Sequence, residues 1–256
     1  MNKKLFLLNV LSVLLVLFVN YYSQTGRING KTIGSLSNEY ANLFTPAAFT
    51  FSIWGLIFLG LIGFICFQGA SLLKTSNLSS YFEHLGLFFA LVNLGNALWV
   101  IVWLYEQTLI SVLVMTGMLV GLIILLNRVS NFIGDLSSIP RFFIVGPIAI
   151  YAGWITVATI ANFSAYLSKI GWDGGFISED LWTAMMIVVA VLINIYVTRK
   201  RSINSFSLVG AWALYGIYYR HASSYQLIAL TALSGLGVLL LSILIRTLKT
   251  RRAFLK

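Results

Sequence analysis

The chain has 256 residues, of which 59% are hydrophobic and 9% charged, with a net charge of +10. Soluble domains carry about 25% charged residues, so this composition excludes a water-soluble globule, a disordered chain and a nucleic-acid binder, and it points to an all-α integral membrane protein whose constant partner is the lipid bilayer. The basic excess falls in short loops and in the tail 246–256, where it reports topology, and the single cysteine, Cys66, leaves no intrachain disulfide.

Lys3 and Lys4 precede an apolar run at about 5–20. Tyr21, Tyr22, Ser23 and Gln24 follow it without a small-x-small cleavage pattern, so an uncleaved first transmembrane helix is expected rather than a signal peptide. The polar stretch 20–45, with Gly26, Gly30 and Gly34, is long enough to be a functional loop and is expected to lie over the outer face. Runs of spanning length then fall at about 47–68, 85–105, 109–127 and 142–165. The loop 169–180 carries Trp172-Asp173-Gly174-Gly175, a turn signal beside an interfacial anchor. Runs at 181–198 and 226–245 flank a shorter one at 205–219, which brings the expected spans to eight.

With eight spans and an inner N-terminus, Arg27, Lys31, Lys169 and Arg220 lie outside and the other thirteen of the seventeen lysines and arginines lie inside. Seven spans would move the basic tail outside and spoil this asymmetry. Both termini are therefore expected in the cytoplasm, and the membrane is read as a bacterial inner membrane. Every Asp, Glu, Lys and Arg can be placed in a loop or at a helix end, which argues against a proton pump or an ion-coupled carrier. His84 and His221 fall on opposite faces and cannot share a metal, and neither a Ser-His-Asp set nor a phosphate loop is present. No catalytic residue, metal ligand or obligatory cofactor is assigned.

Three helices carry aromatic or amide residues on one side. Asn93, Asn96, Trp99 and Trp103 fall within ~120° of arc on the third helix; Phe51, Trp54 and Phe58 share a face of the second; Tyr151, Trp154, Ala158 and Asn162 form a stripe on the fifth. Together they suit a cavity for a flat, largely apolar small molecule with a few polar edges, since rings stack on indole and carboxamides orient polar groups. The plainer reading makes the asparagines interhelical glue and the outer tryptophans interfacial anchors, and it weighs most on Asn93 and Trp103. Gly117 and Gly121 fit close helix packing or a homodimer, and Pro147 is expected to kink the fifth helix. Asn194 and Trp212 are read as packing.

Three of these segments, in order, resemble the TspO/MBR family, the translocator or tryptophan-rich sensory proteins. Pro46 stands eight residues before Trp54, Asn96-Ala97-Leu98-Trp99 resembles the third-helix N-x-x-W, and 151–162 is similar to the fifth-helix Y-x-x-W-x-x-x-A-x-x-x-N. Ala48, Phe58 and Ile150 depart from the family pattern, and the sterol-type pattern near Tyr166 and Lys169 is not met. The resemblance covers 1–168 and implies a five-helix bundle with a pocket lined by Trp54, Asn96, Trp99, Trp154, Ala158 and Asn162, closed by the loop 21–45. It leaves 169–256 as a three-helix membrane extension. The function it implies is a membrane sensor or binding protein for a porphyrin or related tetrapyrrole. A transporter or a membrane subunit of an export system is the alternative, and indole-driven photo-degradation of a bound porphyrin is the one enzymatic route considered.

Overall fold

A computed structural model of the chain describes residues 3–40, 42–73, 78–172, 174–201 and 203–254. The order is α1 (Lys3–Ser23), α2 (Ile33–Glu39), a 3-10 turn (Ala48–Ser52) running into α3 (Ile53–Leu73), α4 (Leu78–Leu85), α5 (Phe88–Leu104) and α6 (Thr108–Ser130). Then come the single turn α7 (Ser138–Pro140), a π-helical stretch (Arg141–Val145), α8 (Gly146–Lys169), α9 (Glu179–Arg201), α10 (Asn204–His221) and α11 (Gln226–Phe254). Among the described residues no strand occurs, and the protein is an all-helical membrane bundle.

Among the described residues six helices are long and apolar enough to cross a bilayer, and the bent pair α4–α5 makes a seventh if it is one span. The remaining expected span, α10, falls short of that measure because it has polar ends: Asn204 and Ser205 open it, Arg220 and His221 close it. Yet α10 reaches both ends of the bundle. Its Asn204 meets Thr247 and Arg246 at one end, and its Arg220 donates to the Thr45 carbonyl at the other. Packed among α8, α9 and α11, it needs less lipid-facing surface than its neighbours.

The order of contact is a closed ring, α1–α3–α8–α6–α5 and back to α1; α10 docks on α8 from outside, with α9 and α11 behind it. Two glycines set the docking distance. A Cβ on Gly153 would come within 2.8 Å of the Phe206 carbonyl oxygen, and one on Gly216 would strike Thr50. α1 is polarised inside out: Leu7, Leu11, Leu14 and Phe18 are exposed, while Asn9, Ser12 and Asn20 are buried against neighbouring helices. In water that pattern would be costly; in hydrocarbon it is the favourable arrangement, since only the bundle interior offers hydrogen-bond partners.

Two local features differ from expectation. The third span is broken: α4 meets α5 at 49°, at Gly86 with φ +62°, and Arg128 donates to the His84 and Leu85 carbonyls that α4 leaves open. At Pro147 the helical run Ser138–Lys169 continues, with a π turn just before it in which Gly146 N–H bonds back to the Arg141 carbonyl. Gly121 packs against Val92 of α5, whereas Gly117 meets open space, so the two glycines do not share one surroundings.

Candidate ligand site under the loop

Phe51, Trp54, Trp99, Trp154, Ala158 and Asn162 line one hollow between α3, α5, α6 and α8, beneath the loop residues Ile33, Thr45 and Pro46. The rings pack on one another. Trp54 and Trp99 lie nearly parallel with centroids 6.4 Å apart, Trp99 and Trp103 likewise at 6.1 Å, and Trp154 meets Trp54 and Phe51 edge-on. They leave only about 50 Å³ free, enough for a water or two by the ~30 Å³ share of liquid water. The open space is next door. A cleft of about 630 Å³ between α1 and α3 shares Ile33, Ser37, Pro46, Phe51 and Trp54 with the hollow, and Phe58, stacked on Trp54, lines its wall.

Asn162 is tied at the hollow's edge. Its Oδ1 accepts from Trp99 Nε1 (3.4 Å) and its Nδ2 donates to Ser111 Oγ (3.0 Å), whose hydroxyl donates in turn to the Thr108 carbonyl. Trp154 is 2% exposed and its Nε1 has no partner, so a buried donor stands open at the hollow. Asn96 and Tyr151 stand behind the wall. Asn96 Oδ1 accepts from Asn20 Nδ2 (2.8 Å), Tyr151 lies beside Asn96 and against Trp54, and the Asn96 Nδ2 and the Tyr151 hydroxyl are left without a well-formed bond. Asn93 likewise turns to α1, donating to Ser12 (3.3 Å).

Trp103, weighed in the sequence as an interfacial anchor, also lines the hollow. Sequence reasoning passed over Met115, which lines it too, Ser111, which holds Asn162, and Asn20, which holds Asn96. The signal was present in α1, where Asn9, Ser12, Asn20 and Ser23 recur at three- and four-residue steps around Val16 in a run otherwise of Leu, Val and Phe.

The loop above is fixed at both ends. Glu106, in the tight α5–α6 turn at φ +60°, accepts from Lys31 Nζ (2.7 Å) and Tyr40 Oη (2.6 Å); Lys31 also pairs with Glu39, and Lys169 bonds the Glu106 carbonyl. Asn29 donates to the Leu104 carbonyl, and Tyr40 packs edge-on against Trp103. The bond from Lys31, then that from Tyr40, holds the Glu106 carboxyl below its ordinary range; burial, then Glu106, pushes the Tyr40 phenol up to about 12. At the loop's far end α10 takes over: Ala47 N–H bonds the Gly216 carbonyl, Trp212 Nε1 donates to the Thr50 carbonyl (3.0 Å), and Phe49 sits among Trp212, Tyr215 and Tyr219. Trp212 is therefore an anchor of the loop. Asn194 bonds the Ala190 carbonyl beside Gly210; Asp173 lies outside the described residues, while Trp172 pairs with Trp182.

A family profile described as TSPO-like protein matches residues 6–245, an interval that takes in α9, α10 and most of α11 besides the five-helix ring. Comparison with curated proteins and with solved structures finds no match. On that match the chain belongs to the TSPO-like protein family.

Proposed function

We propose that this membrane ligand-binding protein senses a porphyrin or related tetrapyrrole, held between α3, α5 and α8 under the loop. The observation that carries the reading is the run of parallel indoles at Trp54, Trp99 and Trp103 with the unpaired Trp154 Nε1 beside it. Stacked on each other, the rings occupy the place of a flat guest. A macrocycle entering from the cleft exchanges indole–indole for indole–ligand contact, and a polar edge satisfies the open donor. Room for it comes from the cleft, whose 630 Å³ lies within the ~300–1,000 Å³ usual for small-molecule sites, whereas the closed hollow alone falls far below it.

On this reading the chain is not an enzyme and has no obligatory cofactor; the tetrapyrrole is a signal. The loop end, with Arg27, Lys31, Lys169 and Arg220, faces outward across a bacterial inner membrane, and both termini face the cytoplasm. The test is quenching of tryptophan fluorescence by protoporphyrin in detergent or nanodiscs. Trp154→Leu and Asn162→Leu are expected to shift the quenching midpoint by about 2- to 10-fold each, the effect of losing ~0.5–1.5 kcal/mol of ring contact or its support. Identical midpoints in wild type and both variants would remove the site.

A further inference from the structure

The cleft between α1 and α3 has properties that the tetrapyrrole reading does not use. The two helices touch at the end away from the loop, where Phe6 fills the space over Gly69 and Asn9 Nδ2 donates to Gln68 Oε1 (3.2 Å). Toward the loop they part. Leu17, Asn20, Tyr21 and Gln24 form one wall, and Gly55 and Phe58 the other. Gly34, Ser37 and Asn38 of the loop close the top. Amides and hydroxyls thus gather at the loop end and apolar side chains lie deeper, and among the described residues no charged side chain lines the space.

Two glycines keep it open. Glycine in a helix costs about 1 kcal/mol relative to alanine, and in this bundle it usually admits a neighbour, as at Gly60, where a Cβ would meet Pro147 at 3.2 Å. Gly55 does not. A Cβ there meets nothing within 4 Å, and the same holds at Gly34 in the roof. Their missing side chains leave the cleft empty without serving any helix contact.

We infer that this cleft also binds an uncharged single-chain amphiphile drawn from the surrounding leaflet, in the room that the tetrapyrrole reading lends to the macrocycle. A hydroxyl-bearing head takes hydrogen bonds from Gln24, Ser37 and Asn38, the Asn20 amide hydrogens already going to Val16 and Asn96, and the chain lies along Leu17, Gly55 and Phe58. The absence of cationic and anionic lining selects against a charged head, because nothing there would compensate its desolvation. The volume is that of a drug-sized molecule rather than of a two-chain lipid. Because Trp54 and Phe51 wall both spaces, an occupant of the cleft presses on the hollow's outer side.

The probe is a monoacylglycerol with a diazirine in its acyl chain, mixed into nanodiscs with the full chain, photolysed and mapped by peptide mass spectrometry. Adducts are expected to concentrate on 17–24 and 55–58. They should fall roughly tenfold or more in Gly55→Phe and in Gly34→Phe, the one in α3 and the other in α2 within the loop. The matched fatty acid, whose head is charged, should label the same segments several-fold less. Adducts spread evenly over lipid-facing positions such as Leu7, Leu113 and Leu192, adducts unchanged in both variants, or adducts confined to the hollow at Met115 and Ala161 would each overturn the site. Protoporphyrin quenching is read on matched nanodiscs without the monoacylglycerol, because the macrocycle draws on the same cleft for room; its failure in wild type there sinks the tetrapyrrole proposal and leaves the labelling result standing.

Discussion

Asn162 bonds Trp99 on α5 and Ser111 on α6 at once, and it is 5% exposed. It therefore sets the azimuth of an indole that lines the hollow. Side-chain hydrogen bonds between membrane helices average ~0.6 kcal/mol and reach ~1.7, so Ser111→Ala is expected to lower stability by about that much in a detergent-unfolding titration. Asn162→Leu should lower it further, because it also strands the Trp99 donor. The double variant should fall short of the sum, and strict additivity would show that the three groups do not act together. The indole and Asn162 positions were legible because a four-residue step on an apolar helix names a face. Asn96 and Tyr151 shared those faces but stand behind the hollow, because helical phase tells which residues point together and not which neighbour receives them. The neighbour of Asn96 is Asn20, on a helix whose sequence speaks mainly through its hydropathy.

The loop over the hollow is an element in its own right, and its latch has a pH window. Glu106 has its pKa depressed in the fold, so its contribution is present above the ordinary carboxylate value of 4.5 and lost as pH falls through the lower folded value. Lys31 and Tyr40 are raised, so theirs are present below their ordinary values of 10.5 and 10.0 and lost as pH rises through the folded ones, about 12 for Tyr40. Protection of the loop against limited proteolysis should accordingly be flat from about pH 5 to 10 and fall on either side. Glu106→Gln should be cleaved a few-fold faster at pH 7 and lose the acid limb of the profile. A variant with wild-type protection and an unchanged acid limb would show that the carboxylate does not hold the loop. Helix α2 inside this loop escaped sequence reading because seven residues rich in Gly and Ser show no apolar period, although Thr32 and Ser35 form a reciprocal cap. The α4–α5 break was hidden for another reason: Ser79, Ser80, Glu83 and His84 keep α4 out of the apolar run, and one glycine in the left-handed region makes the bend.

Across the whole molecule, the basic residues divide between two ends joined by the helices. Arg128 bonds the α4 terminus, Arg201 bonds Ser130 and Arg246 bonds Asn204; Lys31, Lys169 and Arg220 gather at the loop. This division was legible from loop charges alone, since helix ends alternate sides once the spans are known. The docking of α10 was not legible, because Gly153 facing Phe206, Gly210 facing Asn194 and Gly216 facing Thr50 and Pro46 carry no hydropathy signal and act through the close approach they permit. The division of charge predicts orientation, because basic segments stay on the cytoplasmic side. In a Cys66→Ser background, Thr25→Cys places a thiol at the loop end and Asn131→Cys places one in the α6–α7 turn, both at exposed positions. A membrane-impermeant maleimide added to intact spheroplasts should label Thr25→Cys alone, and both thiols only after permeabilisation. Labelling of Asn131→Cys alone in intact spheroplasts would invert the protein. The loop and the cleft beneath it would then open to the cytoplasmic leaflet, and a tetrapyrrole would reach the hollow from inside the cell.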